Sequence, residues 1–87
     1  DFIRAWNGME DICAEYNLDI PIKGKCILCE MTFQMGPAGV GKFRNMLLAL
    51  QNQSYTEAAA EMLDSRWAKQ TPNRAKKLSS QMEDLAS

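Results

Sequence analysis

The chain has 87 residues and a mass of 9.8 kDa, with 46% hydrophobic and 24% charged residues. A chain this short has room for one hydrophobic core, so we expect residues 1–87 to form a single domain. Its net charge of −1 argues against broad electrostatic capture of nucleic acid. No stretch has the ~18 consecutive apolar residues of a membrane-spanning helix. The sequence starts at Asp1 without a Met, which predicts a processed product or a fragment of a longer protein.

The residue inventory excludes several kinds of site. The chain has no His, so Ser-His-Asp and Cys-His catalysis and His-containing zinc sites are excluded within it. Its three cysteines are Cys13, Cys26 and Cys29, an odd number that predicts reduced thiols rather than a disulfide framework. The Cys26-x-x-Cys29 spacing lacks the βαβ context of a redox motif and the further ligands of a zinc site. We therefore expect buried cysteines and no metal or cofactor.

Two helices are predicted in the first part of the chain. The first is indicated by apolar residues at steps of three and four: Phe2, Trp6, Met9, Cys13 and Tyr16. It should end in segment 17–21, because the residue before Pro21 is disfavoured in the α region. The second is predicted from about Ile22 to Met35. Its run 26–33 is apolar on nearly every side, so we expect this helix in the middle of the core.

A breaker cluster, segment 36–41, should separate the second helix from the third. With Lys42 it satisfies the spacing GxxxxGK of a phosphate-binding loop. However, Phe43 stands where the magnesium-binding hydroxyl belongs, and a helix precedes the segment instead of a strand. We therefore predict a corner between two helices.

The second half reads as further helices. The third is marked by these apolar residues: Phe43, Met46, Leu47 and Leu50. Ser54 and Glu57 predict a capping box for the fourth helix, which carries Ala58, Ala59, Met62 and Leu63. A short turn is expected at Arg66-Trp67. Thr71-Pro72 predicts the N-cap and first residue of a last helix that buries Ala75, Leu78, Met82 and Leu85 and frays toward Ser87. The fold class is therefore all-α, a compact bundle of five to six helices around a central buried helix.

Two side-chain groups favour structural interpretations. Most methionines fall on predicted apolar faces, which indicates core filling rather than a partner groove: Met9, Met31, Met46, Met62 and Met82. A basic run without intervening acids predicts a solvated helix face: Arg66, Lys69, Arg74, Lys76 and Lys77. Arg74 lies in the first turn of its helix, where a cation opposes the helix dipole, so it should be exposed or paired with a carboxylate.

Two motifs in this sequence resemble a known enzyme family. The wording FQMG-x-x-GV-x-x-F begins at Phe33, and SRW-x-x-QTPNRAK begins at Ser65. Together they are similar to the C-terminal lobe of the T-even bacteriophage lysozymes, the endolysins of glycoside hydrolase family 24. The resemblance implies a muramidase that cuts the glycan strand of peptidoglycan. It covers essentially the whole chain and is weakest in segment 12–25 and after Lys77.

The resemblance also implies roles for particular residues. The family's general acid is a Glu in an N-terminal lobe, and neither that lobe nor its Gly-rich hairpin is present here. Glu10 and Asp19 match the family's Glu-to-Asp spacing, but Lys25 replaces the following Thr, so we interpret them as surface charge. The implied substrate-side residues are Phe33, Gln34, Met46 and Glu61, with Met46 and Glu61 replacing the usual Ser and Asn. Arg74 matches the arginine that pairs with the catalytic Glu. No catalytic residue is predicted within this chain.

Two functional hypotheses follow. In the first, the chain is a lysozyme lobe that forms one wall of a glycan cleft and is inactive without its N-terminal lobe. In the second, it is a stand-alone all-α interaction or inhibitor protein without hydrolase activity. Whether the chain is an enzyme is therefore open, and an enzyme with a chemistry of its own is the least favoured hypothesis. An uncovered apolar patch around the first helix and Phe33 should permit a protein partner or weak self-association. The resemblance implies a location in the host cytoplasm before action on the bacterial wall.

Overall fold

Six α-helices joined by short turns build residues 2–86, the part of the chain that the computed structural model describes. They are α1 (Phe2–Tyr16), α2 (Ile22–Gly41), α3 (Arg44–Gln51), α4 (Tyr55–Leu63), α5 (Arg66–Gln70) and α6 (Pro72–Asp84). No strand occurs between residues 2 and 86. The prediction of an all-α fold with five to six helices is confirmed. The fraying expected at Ser87 lies outside the described residues.

Helix α1 packs along the face that carries its small and aliphatic residues. Its buried positions are Ala5, Gly8, Met9, Ile12 and Cys13. The prediction was right for Met9 and Cys13 but wrong for Phe2, whose side chain is 61% exposed. Phe2 instead stacks on Trp6, with 6.4 Å between the ring centroids. The helix ends where predicted, and Asn17 takes the left-handed conformation (φ 55°) that lets the Leu18 amide donate to the Cys13 carbonyl at 2.8 Å.

Helix α2 is kinked at Gly36, where φ is 79° and ψ is 162°. A side chain at this φ would be strained, so glycine permits the bend. The predicted break after Met35 is confirmed. The prediction of a non-helical cluster was wrong, because Pro37 restarts the helix and the helical segment continues to Gly41.

Only one face of α2 is covered. Its inner side chains reach the core, and Ile27, Leu28, Cys29, Met31 and Thr32 are all buried. Its outer face exposes Cys26, Glu30 and Phe33, which recur at helical spacing. The prediction that Cys26 is buried was therefore wrong, and α2 is central along its inner face only.

The helix starts differ from the predicted caps. The Ser54–Glu57 capping box does not form, because the Ser54 amide already donates to the Ala49 carbonyl at 2.8 Å. Pro72 is the first residue of α6 as predicted, but the Thr71 hydroxyl donates to the Trp67 carbonyl instead of capping α6. The turn predicted at Arg66-Trp67 is helix α5, which Ser65 caps by accepting from the Ala68 amide at 3.2 Å.

One hydrophobic cluster holds these helices together. The prediction of methionine core filling is confirmed, because five methionines have no exposed surface: Met9, Met31, Met46, Met62 and Met82. These flexible side chains fill the irregular space between helices. No helix in residues 2–86 has the length and apolar character needed to cross a membrane.

Candidate functional site

Phe33 is presented at the end where α1 starts and the regular part of α2 finishes. Its ring is 57% exposed, although it belongs to a run of apolar residues. Phe33 and Arg4 line a cavity of about 200 Å³ together with Ala5, Thr32, Gly36 and Pro37. Phe2 and Ile3 are also largely exposed, at 61% and 72%. This end of the molecule therefore exposes apolar side chains in the region where the family resemblance implies an uncovered apolar patch.

Gln34 is held by a side-chain hydrogen bond that crosses between two helices. The Trp67 indole N–H donates to Gln34 Oε1 at 2.9 Å. This bond fixes which end of the amide faces Trp67 and leaves Gln34 Nε2 buried without a hydrogen-bond partner. A buried amide donor that makes no hydrogen bond is unfavourable by about 1–3 kcal/mol. The amide thus has spare donors that only an added acceptor or a rearrangement would satisfy.

Trp67 is the residue that the sequence analysis missed. Its buried ring packs edge-on against Phe43, with ring centroids 6.2 Å apart and planes at 79°. The Ser65 cap starts α5 and so orients the indole toward α2. The SRW motif marks Trp67, but the turn expected there does not predict where the indole ring points; helix α5 does.

Met46 and Glu61 border a second cavity of about 500 Å³, which Trp67 also lines. Glu61 is half-buried there, but Met46 has no exposed surface and lies in the core beneath the cavity. Met46 lies in the first turn of α3 and faces inward together with Leu47 and Leu50, which explains its burial. Substrate contact by the Met46 side chain would therefore require the cavity floor to open.

Arg74 belongs to a third cavity of about 550 Å³ at the start of α6. It is exposed, and the first turn of α6 contains no acidic residue to balance it. Glu30 on α2 lines the same cavity. The structure therefore places Phe33 in a cavity with the start of α1, joins Gln34 to Trp67, and puts Glu61 and Arg74 in two further cavities.

The remaining charged groups fit the surface interpretation. The prediction of a solvated basic face is confirmed, since all five cations are exposed: Arg66, Lys69, Arg74, Lys76 and Lys77. Glu10 and Asp19 are exposed as well. Among residues 2–86 there is no group of three His, Cys, Asp or Glu side chains that could hold a metal ion.

The pKa values of the two buried thiols, Cys13 and Cys29, are both raised. Burial raises the pKa of Cys29 above its ordinary value, and the neighbouring Cys26 and Glu30 raise it further. Burial likewise raises the pKa of Cys13; Lys25 opposes this shift and Glu10 adds to it. The Cys13 thiol contacts the Met9 sulfur at 3.5 Å. Both thiols are therefore stabilised in the protonated form and serve as packing groups in the reduced protein.

Comparison with known proteins gives a family for part of the chain. Over 59 residues, which is 68% of this chain, it is 39% identical to "Probable T4-type lysozyme 2" and "Probable T4-type lysozyme 1" of Dictyostelium discoideum. That match spans 35% of each relative, so the chain corresponds to about a third of their length. No family model matches the chain, and no solved structure matches it. The chain therefore contains a T4-type-lysozyme-like region, as its motifs predict.

Proposed function

We propose that this chain is the helical lobe of a T4-type lysozyme and forms one wall of the cleft that holds the glycan strand of peptidoglycan. The observation that carries the proposal is that exposed Phe33 is followed directly in α2 by Gln34, whose buried amide nitrogen makes no hydrogen bond. The similarity to T4-type lysozymes supports a lysozyme-family region. In the proposal, the glycan strand is the common ligand of these two neighbours.

Phe33 suits contact with the apolar face of a sugar ring. The Phe33 ring is 57% exposed, and removing its apolar surface from water would favour a complex with a ligand that covers it. Neighbouring Thr32 is buried on the inner side of α2, so the Phe33 ring projects from a turn of helix that packs on the core. In the proposal, Phe33 is an apolar contact.

Gln34 would orient the glycan by donating a hydrogen bond to it. Because Trp67 occupies Oε1, the amide N–H groups point elsewhere and would donate to a carbonyl or hydroxyl oxygen of the glycan. Nε2 is screened from solvent, so a small side-chain shift must accompany binding. An acceptor recovers the free energy that the unsatisfied donor forfeits, about 1–3 kcal/mol.

Arg74 completes the proposed cleft wall by pairing with the general acid. Its guanidinium at the start of α6 opposes the helix dipole, and a carboxylate placed against it would relieve that repulsion. Glycoside hydrolysis requires a general acid and usually a second carboxylate across the scissile bond. In the proposal both come from another part of the lysozyme, so this chain alone does not hydrolyse glycan.

The other proposed features follow from the same assignment. Glu61 lines the cavity beside Trp67 and brings a negative charge to it, while Met46 supports its floor. The substrate is bacterial peptidoglycan, which the protein meets at the cell wall after synthesis in the cytoplasm of a host cell. No cofactor takes part.

A second function is favoured by the exposed apolar end of the molecule. Phe2, Ile3 and Phe33 would also suit a protein partner or weak self-association. In that alternative the chain is a lysozyme-derived interaction or inhibitor protein without hydrolase activity.

Intact-mass analysis of the protein from its native source, combined with a peptidoglycan-clearing assay on the same sample, tests the proposal. A larger species that clears peptidoglycan, and that loses activity on Arg74→Gln but retains it on Lys77→Gln, is the expected result. Lys77 is the matched control because it lines the same cavity. A native species of 87 residues that clears nothing would overturn the proposal in favour of the interaction protein.

A further inference from the structure

The two thiols of α2 differ sharply in their access to solvent. Cys26 is exposed and lines a cavity of about 390 Å³ with Ile22, Lys23 and Asp84 among its neighbours. Cys29, three residues later on the same helix, is only 1% exposed. Both thiols are free. One thiol is therefore open to a small reagent, and the second lies next to it under the surface.

The helix brings these thiols near the geometry of a disulfide. Residues three apart on an α-helix have Cβ atoms about 5–6 Å apart, while a disulfide needs about 3.5–4.5 Å. Closing the bond thus requires one turn of α2 to tighten by about 1–2 Å. A bond formed under such strain is readily reduced again.

We propose that Cys26 and Cys29 form a reversible intrahelical disulfide that acts as a redox switch on α2. Phe33 is one helical turn beyond Cys29, and Gln34 follows it. Tightening the turn at Cys29 shifts both residues relative to Trp67. The effect on glycan contact rests on the proposed function, whereas the disulfide itself does not.

The chemistry is thiol–disulfide exchange with a low-molecular-weight disulfide such as oxidised glutathione. The Cys26 thiolate attacks one glutathione sulfur, the glutathione S–S bond breaks, and one glutathione thiol is released. The Cys29 thiolate then attacks the Cys26 sulfur, and the second glutathione leaves as a thiolate that takes up the proton lost by Cys29. Two protein thiols are oxidised and one glutathione disulfide is reduced to two thiols.

The burial of Cys29 makes the second exchange the slow step. Its thiol must lose a proton in an environment where burial raises its pKa, and Cys26 and Glu30 add to that effect. A mixed disulfide on Cys26 should therefore accumulate first and then decay to the intrahelical bond.

Peptide mapping tests the disulfide directly. The full chain is equilibrated in glutathione redox buffers, alkylated, digested with trypsin and analysed by mass spectrometry. Trypsin cleaves after Lys25 and after Lys42, so the peptide of residues 26–42 carries both thiols. We expect this peptide to lose two hydrogens under oxidation and to regain them with excess reduced glutathione. Cys13→Ser should behave as wild type, and Cys26→Ser should not react. A stable glutathione adduct on Cys26, a dimer linked through Cys26, or an unreactive chain would each overturn the proposal.

Backbone NMR spectra of the reduced and oxidised chain test the switch. The amide resonances of Phe33 and Gln34 should move on oxidation in wild type and stay in place in Cys26→Ser, which keeps the buried Cys29. A disulfide that leaves Phe33 and Gln34 unmoved would overturn the switch while leaving the proposed glycan contact standing. If the reduced protein binds no glycan, the proposed function is contradicted, whereas the proposal of a Cys26–Cys29 disulfide is not affected.

Discussion

Both faces of α2 carry apolar residues, but the outer face also carries a charged one, Glu30, and the two faces meet different surroundings. The inner face buries Ile27, Leu28 and Met31 in the common core. The outer face leaves Ile22, Cys26 and Phe33 open to solvent, although these residues are as apolar as their buried neighbours. Packing within the chain accounts for the first face and not for the second. Exposed apolar residues on a helix therefore mark a surface that packing within the chain leaves uncovered.

The buried face should dominate the stability. Leu28→Ala removes a side chain with no exposed surface and leaves a cavity, so we expect the free energy of unfolding to fall by about 2–5 kcal/mol. Chemical denaturation followed by circular dichroism measures this loss. Ile22→Ala is the matched control on the outer face, since Ile22 is 61% exposed and should change the free energy of unfolding far less. Equal losses in the two variants would contradict the distinction between the faces.

The effect of the hydrogen bond between Trp67 on α5 and Gln34 on α2 should come next in size. Trp67→Phe deletes the indole N–H that Gln34 Oε1 accepts and leaves a second polar group of Gln34 unsatisfied, at an expected loss of about 1–3 kcal/mol. The same denaturation measurement applies. In the double variant Trp67→Phe with Gln34→Leu, part of the loss should return, because both hydrogen-bonding partners are then absent. Strictly additive losses would show that the bond contributes nothing to the folded state.

A smaller effect should appear at alkaline pH. Burial keeps the pKa of Cys29 above its ordinary value of 9.0, so the folded protein retains a proton that the unfolded chain releases. The stability supplied by the neutral thiol is present below about pH 9 and is lost as pH rises toward the folded-state pKa. Cys29→Ala should lose stability less steeply between pH 8 and 10 than wild type. Parallel stability profiles in the two proteins would exclude Cys29 as the source.

The smallest stability effect is expected on the open face. Phe33→Ala should change the free energy of unfolding by no more than about 0.5 kcal/mol, because the ring is largely exposed. The same variant should weaken binding of a peptidoglycan glycan fragment severalfold, measured by NMR titration. Leu48→Ala should leave that affinity unchanged. A destabilised Phe33→Ala with normal affinity would show that Phe33 is a packing residue.

Sequence periodicity predicts the helices well where one face is clearly polar. The limits of α1 and the start of α6 follow from the apolar spacing and from Pro72. Periodicity does not predict which side of α2 is exposed, because segment 26–33 is apolar almost all round. The packing of the neighbouring helices determines which side is covered. The capping box at Ser54 failed for a local reason, since the Ser54 amide donates to the Ala49 carbonyl in the turn that follows α3.

The candidate site was predictable in part. Family resemblance indicates Phe33, Gln34 and Arg74, but it does not show that Met46 lies below the surface or that Gln34 keeps a donor without an acceptor. The first fact depends on which side of α3 faces the core, and the second depends on the hydrogen bond from Trp67 to Gln34; neither can be read before the helices are placed.

Titration of the chain with a peptidoglycan glycan fragment, observed through the side-chain amide of Gln34 and the indole N–H of Trp67, tests whether α2 contacts glycan. Both resonances and the Phe33 backbone amide should shift together, and Phe33→Ala should weaken the response. Resonances that stay fixed at a saturating glycan concentration, or shifts confined to another surface such as that around Leu48, would contradict it.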